Sequence, residues 1–214
     1  FSKAIELRPE FAEAYLNRGN IYYKIGQYNS ALEDFTKAIS IKPQFAKAYL
    51  DRGATYTAQE RYESAIGDLT KVIELKPEFA EAYLNRGDAY YKKGQYRLAI
   101  KDFTKAIKIR PKFSEAYFNR GIVYAIMDEY EFAIEDFTKV IKFKPEFAEA
   151  FLNRGIVYTA MDEYEFAIED FTKVIKLKPE FAEAYLNRGI VYFYKGQYDL
   201  AMKDYTKAIE LSQD

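Results

Sequence analysis

Six arginines recur at one spacing through the 214-residue chain: Arg18, Arg52, Arg86, Arg120, Arg154 and Arg188, each 34 residues after the last. Six aspartates keep the same step: Asp34, Asp68, Asp102, Asp136, Asp170 and Asp204. Guanidinium and carboxylate groups in matched rows suit ion pairing between helices. The other chemistry open to such arginines is capture of an acidic ligand. Pairing is favoured, because a half-buried charge without a partner is costly and the two rows accompany each other unit by unit. Whether the partners share one unit or sit in adjacent units stays open. A third row stands one residue before the arginines: Asn17, Asp51, Asn85, Asn119, Asn153 and Asn187. An amide side chain carries both a donor and an acceptor, so such a ladder could bond a main-chain amide at both its groups. The plain alternative is that these residues solvate the helix surface.

Other chemistries are poorly served. The chain has no Cys and no His, which removes thiolate nucleophiles, disulfides, the usual zinc ligands and imidazole acid–base catalysis. It has no Gly-rich phosphate loop, and its carboxylates repeat with the scaffold instead of standing apart. No catalytic residue, metal site or cofactor is expected. Lys and Arg (32) nearly balance Asp and Glu (33), so no long-range field draws nucleic acid or anionic lipid. No apolar run approaches a membrane span. No signal peptide is visible at Phe1, and a cytoplasmic location is the expectation.

The elements follow from the period. The six prolines, Pro9, Pro43, Pro77, Pro111, Pro145 and Pro179, share the step, as do Gly19, Gly53, Gly87, Gly121, Gly155 and Gly189. Within one unit, Tyr83, Gly87 and Tyr90 lie on one helical face. Gly94 and Gln95 break that helix. Tyr96, Ala99, Ile100, Phe103, Ala106 and Ile107 make a second apolar stripe, which Pro111 stops. Each unit is helix A, a turn, helix B and a link. Neither helix buries its stripe alone, so stacked neighbours must. The recurring glycine and Ala99 position mark a close crossing of the two helices.

The pattern Tyr83, Gly87, Tyr90, Ala99, Phe103, Ala106, Pro111 is similar to the tetratricopeptide signature, with Tyr where that family often has Trp. The resemblance implies an all-α, right-handed superhelical solenoid of antiparallel helix pairs. In its register the repeats are 12–45, 46–79, 80–113, 114–147, 148–181 and 182–214. Residues 1–11 then read as the tail of a preceding helix B, with Phe1 and Ala4 in the places of Phe35 and Ala38. The arginine and aspartate rows depart from the family, which commonly has Leu and often Tyr there.

The resemblance also implies a protein or peptide ligand on a concave face lined by helix A. The asparagine row resembles the ladder in the repeat domain of the O-linked N-acetylglucosamine transferases. Beside it, Leu84, Phe118, Leu152 and Leu186 are assigned to the same lining. They stand where chaperone-tail binders need a Lys, and a clamp for an acidic tail is not expected. Ile122, Ile156, Ile190, Phe193 and Tyr194 make the second half of that face apolar, where the first half has Asn20, Ala54 and Asp88. Such a patch suggests binding, though packing on the next helix A is an equal account. Leu98, Phe132, Phe166 and Leu200 form a strip on helix B suited to self-association or to local packing. Three functions therefore compete: a non-catalytic scaffold for a polypeptide segment, a module that stacks on itself, and the substrate-holding part of a larger enzyme.

Overall fold

A computed structural model of the chain describes residues 7–212. Phe1 and Ala4, expected in a preceding helix B, lie outside them, as do Gln213 and Asp214. Twelve α-helices follow in pairs, and no described residue is in a strand. The chain divides after Pro111 into two compact units. The first holds α1 (Ala12–Lys24), α2 (Tyr28–Ile41), α3 (Ala46–Ala58), α4 (Tyr62–Leu75), α5 (Ala80–Lys92) and α6 (Tyr96–Ile109). The second holds α7 (Ser114–Ile126), α8 (Tyr130–Phe143), α9 (Ala148–Ala160), α10 (Tyr164–Leu177), α11 (Ala182–Tyr194) and α12 (Tyr198–Leu211). Odd-numbered helices are the A helices and even-numbered ones the B helices.

The turns have local causes. Each proline takes the second place of a tight turn, for which its fixed φ is suited. Phe45 N–H, for instance, donates to the Lys42 carbonyl across Pro43 at 3.0 Å. The A-to-B turn needs one left-handed residue. Gly26, Gly94 and Gly196 supply it at φ of 70–76°. In the other three repeats Glu60, Asp128 and Asp162 occupy it at 58–59°, a conformation that costs a non-glycine residue roughly 1–2 kcal/mol.

Packing is a chain of small cores. In the second unit, Ala148, Phe151, Leu152, Ala167, Phe171 and Val174 of one repeat are closed by Ala184 and Val191 of the next. In the first, Ala46, Leu50, Ala65, Leu69 and Val72 are closed by Ala82 and Ala89. Each A helix packs on its own B helix, and within a unit also on the preceding B helix and the neighbouring A helices. The A–B crossing is tight. A Cβ added at Gly155 would stand 2.7 Å from the Phe171 ring, itself fully buried.

Gly155→Ala is expected to cost about 1–3 kcal/mol through overpacking. Adding Phe171→Leu, the side chain that Leu69 presents to Gly53, should recover part of that loss. Urea unfolding monitored by circular dichroism measures both. An unchanged midpoint for the single variant would mean that the ring moves aside freely.

Candidate functional site

The arginine row sits where helices A and B meet. Each arginine donates through Nε and Nη2 to both oxygens of the aspartate sixteen residues on, in its own repeat. Arg154 reaches Asp170 at 2.8 Å by both routes, and Arg18 reaches Asp34 at 2.7 Å. The same fork joins Arg52 to Asp68, Arg86 to Asp102, Arg120 to Asp136 and Arg188 to Asp204. Each guanidinium also lies between two rings of its own helix, as Arg86 does between Tyr83 and Tyr90 at 5.8 Å from both centroids. The remaining Nη1 reaches back one repeat. Arg52 bonds Thr36 at 3.0 Å, Arg86 bonds Thr70 at 3.0 Å, Arg154 bonds Thr138 at 2.8 Å and Arg188 bonds Thr172 at 2.9 Å.

These arginines are spent on the scaffold. The side chains of Arg154 and Asp170 are only 17% and 4% exposed. Asp68 and Asp102 raise the Arg52 and Arg86 guanidiniums, and burial opposes them. At the Arg154–Asp170 pair burial is the larger influence. It pulls the arginine down and pushes the carboxyl up, yet the bonds to Asp170 leave Arg154 above its ordinary value. The pair is ionised, because arginine keeps its proton throughout the accessible pH range and a forked bond needs a carboxylate to accept it.

The free chemistry lies between successive A helices. In the first unit Ala54, Thr57 and Ala58 of α3 face Asn85, Asp88 and Lys92 of α5 across a cleft of about 460 Å³, with Tyr23, Glu60 and Tyr62 at its margin. In the second unit Ile156, Thr159 and Ala160 of α9 face Asn187, Ile190 and Tyr194 of α11 across about 370 Å³, with Asp162 and Tyr164 beside them. Except for Tyr23, the positions correspond one for one, three repeats apart. The first cleft is lined by charge and the second by hydrocarbon.

The expected lining divides. Asn85, Asn187, Ile156, Ile190 and Tyr194 border the clefts. Ile156 is 40% exposed, and the Tyr194 ring stacks on Tyr164 at 6.0 Å between centroids. Leu152 does not belong there and is corrected: it is 5% exposed in the core that Ala184 and Val191 close. One residue along a helix is a rotation of about 100°, enough to turn this row from the cleft toward the next repeat. Phe118 is likewise turned inward, onto Phe137 and Phe147 at 5.8 and 5.0 Å, and Ile122 packs beside it on the same core. Leu84 is half-buried. Leu186, in the place of Leu152, is 46% exposed. Phe193 is 53% exposed and leans on Tyr198 at 5.7 Å.

The ladder is partly used by the helices themselves. Asn153 Nδ2 donates to the Glu149 carbonyl at 2.7 Å, and Asn187 Nδ2 to that of Glu183 at 2.9 Å. Mid-helix Asn finds an acceptor one turn back, so each of these two spends one of its two N–H donors on its own helix and keeps the second N–H and the oxygen. Asn17 is exposed and Asn119 half-buried. Asp51 pairs with Lys47 at 2.8 Å through Oδ1, while its Oδ2 is buried without a hydrogen-bond partner. Glu60 and Asp88 escaped the sequence reading as site residues. The only signal for them was the departure of positions 60 and 88 from the glycine and isoleucine of other repeats.

The helix-B strip is exposed at Leu98, Phe132, Phe166 and Leu200. Phe132 and Phe166 each rest one face on a tyrosine of their own repeat, Tyr124 and Tyr158, at 5.3 Å. Among the described residues no helix is long and apolar enough to cross a membrane.

Comparison with known proteins agrees with this architecture. A tetratricopeptide repeat model matches residues 12–45, 114–147, 148–181 and 182–214, and a related TPR model matches 53–94 and 87–128. The chain belongs to the tetratricopeptide repeat family. Solved structures similar to it include MamA, 31% identical over 75% of this chain and 94% of that one, with a TM-score of 0.72. YrrB, described as a TPR protein with an unusual peptide-binding site, is 28% identical over 86% of this chain and 95% of that one, with a TM-score of 0.69. PilF of Pseudomonas aeruginosa shares the fold, with a TM-score of 0.79 at 21% identity over 92% of this chain and 90% of that one. A search of the curated proteins finds no match.

Two measurements check the electrostatics. Arg154→Leu strands a buried carboxylate and should cost about 3–5 kcal/mol, whereas Arg154→Leu with Asp170→Tyr should cost much less. Equal losses would show that the pair is not coupled. Burial raises the Asp88 carboxyl above its ordinary range, with Lys92 opposing. The folded chain therefore binds this proton at higher pH than the unfolded chain. Asp88 then costs stability above its folded-state titration, and the cost fades as pH falls through it. Asp88→Asn should raise Tm at pH near 7 and gain nothing at about pH 3; thermal melts at the two pH values decide.

Proposed function

We infer that this chain is a non-catalytic scaffold that holds an extended polypeptide along its A helices. The observation that carries the reading is the repetition of one cleft at corresponding positions in both units, each bordered by an asparagine. A polypeptide is a repeating ligand, and a repeated site suits it better than it suits a small molecule. The family and the similarity to a peptide-binding repeat protein support the same reading. Asn85, Asn119, Asn153 and Asn187 contribute polar contacts to the ligand main chain. Each direct bond adds only about 0.5–1.5 kcal/mol, so apolar contacts with Ile156, Ile190 and Tyr194 provide most of the affinity.

A second reading, self-association through helix B, rests on the exposed row of Leu98, Phe132, Phe166 and Leu200. Light scattering of the chain and of Phe132→Lys/Phe166→Lys over a range of concentration tests it. A mass that stays monomeric for both removes it.

For the leading reading, peptides selected from a random-sequence library are titrated against the chain and its variants. Ile156→Asp should weaken binding at least tenfold, and Asn85→Ala only a few-fold. If the fourfold Asn→Ala variant and Ile156→Asp both keep full affinity while folded, the A-helix face is not the binding surface.

A further inference from the structure

The first unit's cleft differs from its counterpart in ways that share one chemical sense. Asp88 stands where the second cleft has Ile190, and burial and the Lys92 charge, with no hydrogen bond, act on its carboxyl. Glu60 stands where the second cleft has Asp162. Asp162 is engaged, since the Tyr164 hydroxyl donates to it at 2.6 Å, whereas the Glu60 carboxylate has no such partner. On the helix that forms one wall, three residues before Ala54, Asp51 keeps a buried oxygen without a hydrogen bond. Tyr23 and Tyr62 add aromatic rings to the margin. The one cation of the lining, Lys92, lies 5.6 Å over the Tyr91 ring, and its charge only partly offsets the burial of Asp88 one turn before it.

We propose that the first unit's cleft is a pocket for a basic side chain, the guanidinium or ammonium group of an Arg or Lys in the bound polypeptide, with Asp88 and Glu60 as its carboxylate partners. This rests on the polypeptide reading above and gives it a specificity. The desolvated Asp88 carboxylate gains most from a cation that arrives with its own donors, the exposed Glu60 carboxylate adds charge at the cleft margin, and aromatic rings stabilise the same cation through their faces. The burial that raises the Asp88 carboxyl is relieved by a bound positive charge. An acidic side chain is repelled there, and an apolar one leaves the half-buried Asp88 carboxylate unpaired.

The probes are three acetylated and amidated nine-residue Ala/Ser peptides that differ only in a central Arg, Leu or Glu. Each is titrated into the full chain, with amide chemical shifts followed by NMR. The Arg peptide should shift amides of residues 54–60 and 85–92, with affinity that falls as salt is raised. The Leu peptide should shift residues 156–160 and 187–194 instead. Asp88→Ile installs the residue the second cleft tolerates at this place. It should weaken the Arg peptide about tenfold, the scale of one hydrogen bond to a charged group, and admit the Leu peptide to the first cleft. Asp88→Asn keeps the shape and should weaken only the Arg peptide. If the Leu peptide binds the second cleft while the Arg peptide leaves the first unmoved, or if the Glu peptide shifts the first cleft as strongly, the basic pocket is wrong and the polypeptide reading stands. If no peptide shifts either cleft, both fall.

Discussion

The structure depends on a guanidinium held in a fork. Each repeat arginine is clamped between two rings of its own helix and bonded twice to one aspartate of the partner helix. At Arg52, Arg86, Arg154 and Arg188 the last nitrogen reaches a threonine of the repeat before. A single side chain thus ties helix A to helix B and, within each unit, one repeat to another. Planar geometry is what makes this possible, because a fork has one good orientation toward a carboxylate and an ammonium has many. Removing charge from water is expensive, and an apolar pair in the same space is often as stable or more so. What the ion pair adds is register. Leucine tolerates sliding along a helix, and a bidentate bond does not.

That commitment divides the repeat into two kinds of position. Gly155, Ala167, Phe171 and Arg154, with their equivalents, are occupied by packing and pairing. They cannot change without disturbing the crossing. Variation collects on the outward turn of helix A and in the A-to-B turn, where a side chain changes the surface without changing the scaffold. Ala54 against Ile156, Asp88 against Ile190 and Lys92 against Tyr194 are such exchanges. The left-handed turn residue belongs to the same set. Glycine serves the backbone best there, and a carboxylate side chain replaces it in three repeats at a cost in strain.

Much of this was readable in residue order. The spacing of proline and glycine gives the repeat, since one ends a helix by chemistry and the other permits either a turn or a close crossing. The arginine and aspartate rows pointed to each other because neither charge is tolerated alone when half-buried. Residue order misjudged positions whose meaning depends on rotation and on neighbours. Leu152 and Asn153 are adjacent in the chain, yet one belongs to the core and the other to the surface. No pattern of residue types signalled that Asn153 would give one of its two donors to its own helix.

The helices and their pairing are determined by the chain alone, because the period that writes them is repeated six times, whereas the structure decided that each arginine meets the aspartate of its own repeat. The contrast between the two clefts is decided by tertiary stacking. A cleft exists only where two A helices from successive repeats stand side by side. Its polarity depends on residues 34 apart in sequence that come to face one another there. Asp88 is an ordinary surface aspartate on an isolated helix, and it becomes a desolvated carboxylate because α3 stands against it.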